Sequence, residues 1–93
     1  MIISFACDDT REIFEGNYVT TFGRDVQNVA RRKLAYLNQA MNLMDLRMPP
    51  GNRLEKLKGD RAGRFSIRVN DQYRICFQWS DGNASEVELV DYH

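Results

Sequence analysis

A change of hydrophobic period at Pro49-Pro50-Gly51 constrains this chain more than any other feature. Upstream, apolar residues fall at Val26, Val29, Ala30, Leu34, Leu37, Met41 and Met44. Steps of three and four place them on one stripe of a helix over about residues 24–44. Downstream, Phe65, Ile67 and Val69 alternate with Ser66, Arg68 and Asn70, and Tyr73, Ile75, Phe77 and Trp79 alternate with Arg74, Cys76 and Gln78. Val87 and Leu89 alternate with Glu86 and Glu88 in the same way. A period of two marks strands with one buried face. The proline pair divides the two regimes, because proline lacks the N–H that a helix ladder needs and clashes with the preceding turn. Turns at Asn70-Asp71-Gln72 and Asp81-Gly82-Asn83 join the strands into an antiparallel meander. Residues 1–5 read as a short strand, and Asp9-Thr10-Arg11-Glu12 has capping-box spacing, with Asp9 capping a short helix through about Gly16. The class is therefore α+β: an N-terminal strand, two helices, then an antiparallel sheet with one face under the long helix.

The 93 residues allow one domain, spanning 1–93, with a single modest core. No apolar run approaches the roughly 20 residues of a membrane span, and the first residues have neither the basic flank nor the apolar stretch of a secretory signal. A cytoplasmic protein without a membrane partner is expected. Cys7, Cys76 and the sole histidine, His93, are too few for a Cys/His-rich zinc site. The thiols read as reduced, small apolar side chains, and no metal or other cofactor is expected.

Net charge is zero, but its distribution is uneven. Residues 47–74 hold eight basic side chains (Arg47, Arg53, Lys56, Lys58, Arg61, Arg64, Arg68 and Arg74) against three acidic ones, whereas residues 75–93 hold four acids and no Lys or Arg. A polyanion responds to such a local field rather than to the total; a solvated loop and hairpin would look the same. Register sharpens the choice. A three-residue loop at 70–72 pairs Val69 with Tyr73 and sets Arg68 opposite Arg74. Like charges facing each other destabilise a strand pair unless an anion lies near, and either a protein carboxylate or a phosphate would serve. If Phe77 pairs with Val87, then Asp91 falls near Tyr73, and Asp91-Tyr92-His93 ends beside the two arginines. A carboxylate, a phenol, an imidazole and two guanidiniums are the groups that metal-free RNA cleavage needs: a base for the 2′-OH, cations for the phosphorane and an acid for the leaving 5′-oxygen. A terminal histidine is also simply a frayed end. Arg31, Arg32 and Lys33, opposite the apolar stripe, read either as a wet helix face or as a nucleic-acid contact.

Four segments carry a family resemblance: Pro49-Pro50-Gly51-Asn52-Arg53-Leu54-Glu55-Lys56-Leu57-Lys58-Gly59, then Arg61-Ala62-Gly63, then Ser66-Ile67-Arg68-Val69-Asn70-Asp71-Gln72-Tyr73-Arg74-Ile75-Cys76-Phe77, and the ending Val90-Asp91-Tyr92-His93. Together they resemble the HigB toxins, or plasmid-maintenance killer proteins, of the RelE/ParE superfamily. Ser4-Phe5 and Arg32-Lys33-Leu34 extend the likeness over the whole chain. The resemblance implies a compact RelE-like fold, with helices on a curved, mainly antiparallel sheet. It implies a toxin of a type II toxin-antitoxin system that cuts mRNA in the A site of the 70S ribosome and so inhibits translation. It further implies a cognate helix-turn-helix antitoxin, HigA-like, through which alone operator DNA is met. The catalytic residues it implies are Lys58, Arg74, Asp91, Tyr92 and His93. His93 would transfer a proton at the 2′-OH or the leaving oxygen, Asp91 would orient or share that role, and Tyr92 would stack on a base. Lys58 and Arg74 would stabilise the phosphate, with Arg68 an added candidate. Some relatives carry histidine where this chain has Glu55, which can act as a base but supplies no positive charge. Arg31, Arg32, Lys33, Arg53, Lys56, Arg61 and Arg64 are the candidate nucleic-acid contacts.

Two other classes fit parts of the pattern. A toxin of the same fold acting on a protein such as DNA gyrase would not need His93. A non-catalytic RNA-binding module would use the basic segment, but few aromatics interleave with it. Expression of His93→Ala beside the wild type, with mRNA loss as the readout, separates these classes from the enzyme.

Overall fold

The computed structural model describes residues 1–58 and 63–92. Helix α1 is Asp8–Phe14. Cys7 precedes it without a side-chain cap, so Asp9 is not the cap expected from sequence. Asp9 lies instead in the first turn beside Asp8, where carboxylates favour the helix dipole, and accepts a hydrogen bond from Thr21 Oγ1.

Helix α2 is Arg24–Gln39 and stops five residues short of the expected end. The physical reason is Asp45. Its carboxylate accepts hydrogen bonds from Met41 N (2.9 Å) and Asn42 N (3.1 Å), closing a capping box that starts a separate 3-10 turn, Leu43–Arg47. The last two positions of the apolar stripe therefore leave the core: Met41 is 81% and Met44 57% exposed, while Ala30, Leu34 and Leu37 are fully buried. A second 3-10 turn, Pro50–Asn52, follows and ends at Arg53 in the left-handed region (φ 45°).

The four strands are β1 (Glu55–Lys56), β2 (Arg64–Arg68), β3 (Tyr73–Ser80) and β4 (Asn83–Asp91), in that spatial order and all antiparallel. Ile67 faces Ile75, Ile75 faces Leu89, Arg68 faces Arg74 and Tyr73 faces Asp91, as the alternation requires. A bulge interrupts the β3–β4 ladder between Cys76 and Gln78, opposite the stretch of β4 where Glu86 adopts φ 51°. Residues 1–6 lie parallel to β4 on its outer edge, with Ile3 N to Ala84 O (2.8 Å), Ala84 N to Met1 O (2.9 Å) and Ala6 N to Val87 O (3.0 Å). The sheet is thus mainly, not wholly, antiparallel. Leu34, Leu37, Leu46, Ile67, Ile75, Phe77 and Val87 are fully buried in the core it shares with the helices, and each contributes about 1.5–3 kcal/mol by leaving water. Among the described residues no helix is long and apolar enough to cross a membrane.

The β3–β4 turn depends on Asp81 (φ 54°) and Gly82 (φ 78°), both left-handed as a type I′ hairpin demands. A methyl group on Gly82 would be strained there and would stand 3.4 Å from Met41 O. Gly82→Ala should therefore cost about 1–2 kcal/mol, lowering the melting temperature on the order of 5–15 °C. Gly51→Ala, where an added Cβ meets nothing within 4 Å, should change it little. Thermal denaturation followed by circular dichroism compares the two.

Candidate active site

Alternation along β2 and β3 sends Ser66, Arg68, Arg74 and Cys76 to the sheet face opposite the core-facing Ile67 and Ile75. Arg74 is held there on two sides. Its Nε donates to Ser66 Oγ (2.8 Å), and one terminal nitrogen donates to Arg53 O (2.5 Å) and Ser66 O (3.3 Å). Only about a tenth of its side chain is exposed. Arg68 pairs with Asp71 at 2.5 Å, and Arg74 lies 3.9 Å from Glu55. Protein carboxylates thus meet the like-charge pair that the register created. Both are exposed, Asp71 at 99% and Glu55 at 56%. Water screens them, so they compete weakly with an incoming phosphate.

The hairpin loop orders the end of β4. Asn70 Oδ1 accepts from Gln72 N and Tyr73 N, both at 2.8 Å, an Asx turn that closes the loop. Gln72 then donates from Nε2 to Asp91 Oδ2 (3.0 Å) and accepts from Tyr92 N at its carbonyl (2.6 Å). The Tyr92 ring consequently stands 5.8 Å from the Arg74 guanidinium carbon.

Arg53, Glu55, Arg68, Asn70, Asp71, Arg74 and Tyr92 line an open cavity of about 240 Å³. That is smaller than the ~300–1,000 Å³ of pockets that enclose a whole small molecule, and it suits a segment of polymer passing over it. Among the described residues, three guanidiniums against two carboxylates leave the lining net positive. The Tyr92 ring is partly open to solvent and offers a stacking surface. Five residues named from sequence thus meet here: Arg74, Tyr92, Glu55, Arg68 and Arg53. Asp91 adjoins the cavity through Gln72 and Tyr92. Lys58 is exposed just beyond β1 and is not part of the lining. His93 and Arg61 lie outside the described residues. Among the described residues no group of three or more metal-ligating side chains occurs.

The remaining basic candidates are dispersed. Lys56 alternates with Glu55 and so projects from the other face of β1. Arg64 donates to Glu86 O (3.4 Å), and its Nε is buried with no hydrogen-bond partner among the described residues; it is about 13 Å along the strand from Arg68, at ~3.3 Å per residue. Arg32 is exposed on α2. Its neighbours do not form a wet face with it. Arg31 donates to Ile13 O and Asn17 O, both at 2.8 Å, and lies over the Tyr18 ring. Lys33 is 8% exposed and donates to Asn52 Oδ1. Burial, then Arg32, then Arg68 push the Lys33 amine below its ordinary pKa. The end of α1 and the residues after it engage Arg31, and the Pro50–Asn52 turn covers Lys33, so a segment that looks polar in sequence is partly covered. Asn52, Asn70 and Gln72 were not anticipated as site residues; their signal was only that of turn formers.

A family model described as the RelE-like toxin of the type II toxin-antitoxin system HigB matches residues 4–93. The chain is 54% identical to a Vibrio cholerae protein named Toxin HigB-1, over 69% of this chain and 67% of the relative. It is 33% identical over the full length of both to a Proteus vulgaris protein named Endoribonuclease HigB. Among solved structures, its fold is similar to one from a YoeB-YefM complex of Staphylococcus aureus (TM-score 0.62, 18% identity, 100% of this chain and 95% of that one). It is also similar to a YoeB/ParE toxin from Agrobacterium tumefaciens (TM-score 0.57, 14% identity, 99% and 98%).

Proposed function

This chain belongs to the RelE-like toxins of the HigB type II toxin-antitoxin family, and from that membership we propose that it cuts mRNA in the A site of the ribosome by metal-free attack of the 2′-OH. It is an endoribonuclease toxin with an antitoxin as its partner; the antitoxin is a helix-turn-helix protein that also holds the operator DNA, and both act in the cytoplasm. The observation that carries the reading is the β2–β3–β4 register. It gathers Arg68, Arg74 and Tyr92 around one open cavity with Arg53 and Glu55.

In the reaction, Tyr92 stacks on a base of the mRNA and sets the strand across the cavity. A base drawn from Glu55, Asp91 and His93 removes the 2′-OH proton. The 2′-oxygen attacks the adjacent phosphorus, and the P–O5′ bond breaks. Arg74, with Arg68 and Lys58, stabilises the charge that builds on the phosphorane oxygens. An acid from the same set, with His93 best suited because an imidazole is the side chain that ordinarily exchanges protons around neutral pH, returns a proton to the departing 5′-oxygen.

The products distinguish this chemistry from hydrolysis by external water. Internal attack leaves a 2′,3′-cyclic phosphate upstream and a 5′-OH downstream. Polynucleotide kinase should therefore label the downstream fragment directly, without prior phosphatase. Downstream fragments that carry a 5′-phosphate would mean that water attacks, and the proposed chemistry would be wrong.

A further inference from the structure

We infer that Lys33 is a positioning residue for RNA cleavage: through Asn52 it fixes the loop whose Arg53 carbonyl aims Arg74. The inference rests on the cleavage reading above but concerns a residue with no place in the cavity lining.

Lys33 sits in α2 beside the fully buried Leu34 and is itself nearly buried, with its ammonium donating to Asn52 Oδ1. Asn52 is fully buried. Its Nδ2 donates to Leu46 O and Met48 O, both at 3.3 Å. One side-chain amide thus ties α2 to both 3-10 turns. The next residue, Arg53, takes the left-handed conformation (φ 45°, ψ 58°), donates its N–H to Pro50 O (3.1 Å) and turns its carbonyl to Arg74 at 2.5 Å.

Arg74 is consequently clamped from β2 by Ser66 and from the loop by Arg53. Without the loop contact the guanidinium keeps its hydrogen bonds to Ser66 and only looser approaches to the exposed Glu55 carboxylate (3.9 Å) and the Tyr92 ring, so it is free to tilt about the Ser66 side. A guanidinium recognises phosphate through the orientation of its planar fork, so tilt removes the contact that catalysis uses. Burying an ammonium is costly where an aliphatic side chain would fill the same volume, and the hydrogen bond to Asn52 is what the structure obtains in return. Arg68, which lines the cavity, is near enough to Lys33 to help lower its pKa, after burial and Arg32.

The test combines single-turnover cleavage at saturating programmed ribosomes with the 15N–1H signal of the Arg74 Nε–H. Lys33→Met should remain folded by circular dichroism and bind ribosomes within about twofold of wild type, yet lose about tenfold or more in saturated rate, as expected for a misplaced catalytic group. The Arg74 signal should shift or broaden. Lys33→Gln, which keeps a donor for Asn52 Oδ1, should recover much of the rate and return the signal towards its wild-type position. If Lys33→Met does not fold, Lys33→Leu carries the same test, because it too removes the donor for Asn52 Oδ1 while leaving the bonds of Asn52 to Leu46 and Met48 in place. A folded variant with the wild-type rate, or with an unmoved Arg74 signal, overturns the inference. If the wild type cuts no RNA, the Arg74 signal still decides positioning, so failure of the cleavage reading is distinguishable.

Discussion

Arg74→Ala is expected to lower saturated single-turnover cleavage about ten- to a hundredfold, the loss that follows from one charge-assisted contact worth about 1.5–3 kcal/mol in the transition state. Ribosome affinity should change little. The structure adds a second expectation. Ser66 Oγ, in a fully buried residue, loses its donor in this variant, and an acceptor left without a partner in a buried site costs about 1–3 kcal/mol; Arg53 O loses one as well, in a part-buried place that water can reach. Stability must therefore be measured beside rate. Arg74→Lys keeps the charge but cannot bridge Ser66 and Arg53, because an ammonium lacks the planar fork; it should restore stability less than it restores net charge, and rate less again. Arg32→Ala combined with Lys56→Ala should do the reverse. Both side chains are exposed and stand away from the cavity. Their loss should weaken ribosome binding and flatten its salt dependence, with the saturated rate unchanged. A folded Arg74→Ala protein that cleaves at the wild-type saturated rate would remove Arg74 from the mechanism.

Cleavage of mRNA on programmed ribosomes should exceed cleavage of the same RNA free in solution by more than about a hundredfold, since orientation of the reacting atoms is worth several orders of magnitude. The cavity is open, and among the described residues its charged and aromatic lining is three guanidiniums, one partly exposed ring and two exposed carboxylates. Such a site grips a flexible strand poorly and gains most from a ribosome that fixes the sugar and phosphate beforehand. The measurement compares initial rates on naked and ribosome-bound mRNA at equal concentration. EDTA is added only to a level at which intact ribosomes persist, because ribosomes themselves need magnesium. Equal rates on both substrates would exclude ribosome dependence. Complete loss of cutting in EDTA on intact ribosomes would exclude metal-free chemistry.

Strand register was the most legible part of the molecule. Alternation of apolar residues predicts the Arg68–Arg74, Ile75–Leu89 and Tyr73–Asp91 pairs that are observed, whereas the expected Phe77–Val87 pair falls at the bulge between Cys76 and Gln78 and is not among the observed pairs. Helix ends were less legible. Met41 and Met44 continue a helical spacing, but Asp45 caps the backbone at Met41 and Asn42 and starts a new turn. A periodic pattern contains no record of such a competing side-chain bond. The cavity was half legible. Arg74, Arg68 and Tyr92 come together through register, which sequence encodes locally. Arg53 and Glu55 arrive through the Pro50–Asn52 turn and the left-handed Arg53, whose path depends on a buried contact between residues 33 and 52. The same long-range contact takes Lys33 out of a cluster that looked solvated. Its charge was legible; its partner, nineteen positions away, was not.

The parallel segment at residues 1–6 has a kinetic consequence. Its bonds to Ala84 and Val87 join parts of the chain some eighty positions apart, so native topology carries a high contact order and folding is slowed by the search for that closure. During translation the first strand emerges long before its partner exists. A nascent chain can form its helices early, but the edge of the sheet and the Asp91-Tyr92 end of the cavity must wait for the last strand. The site is thus complete only once β4 has been made and paired with β3.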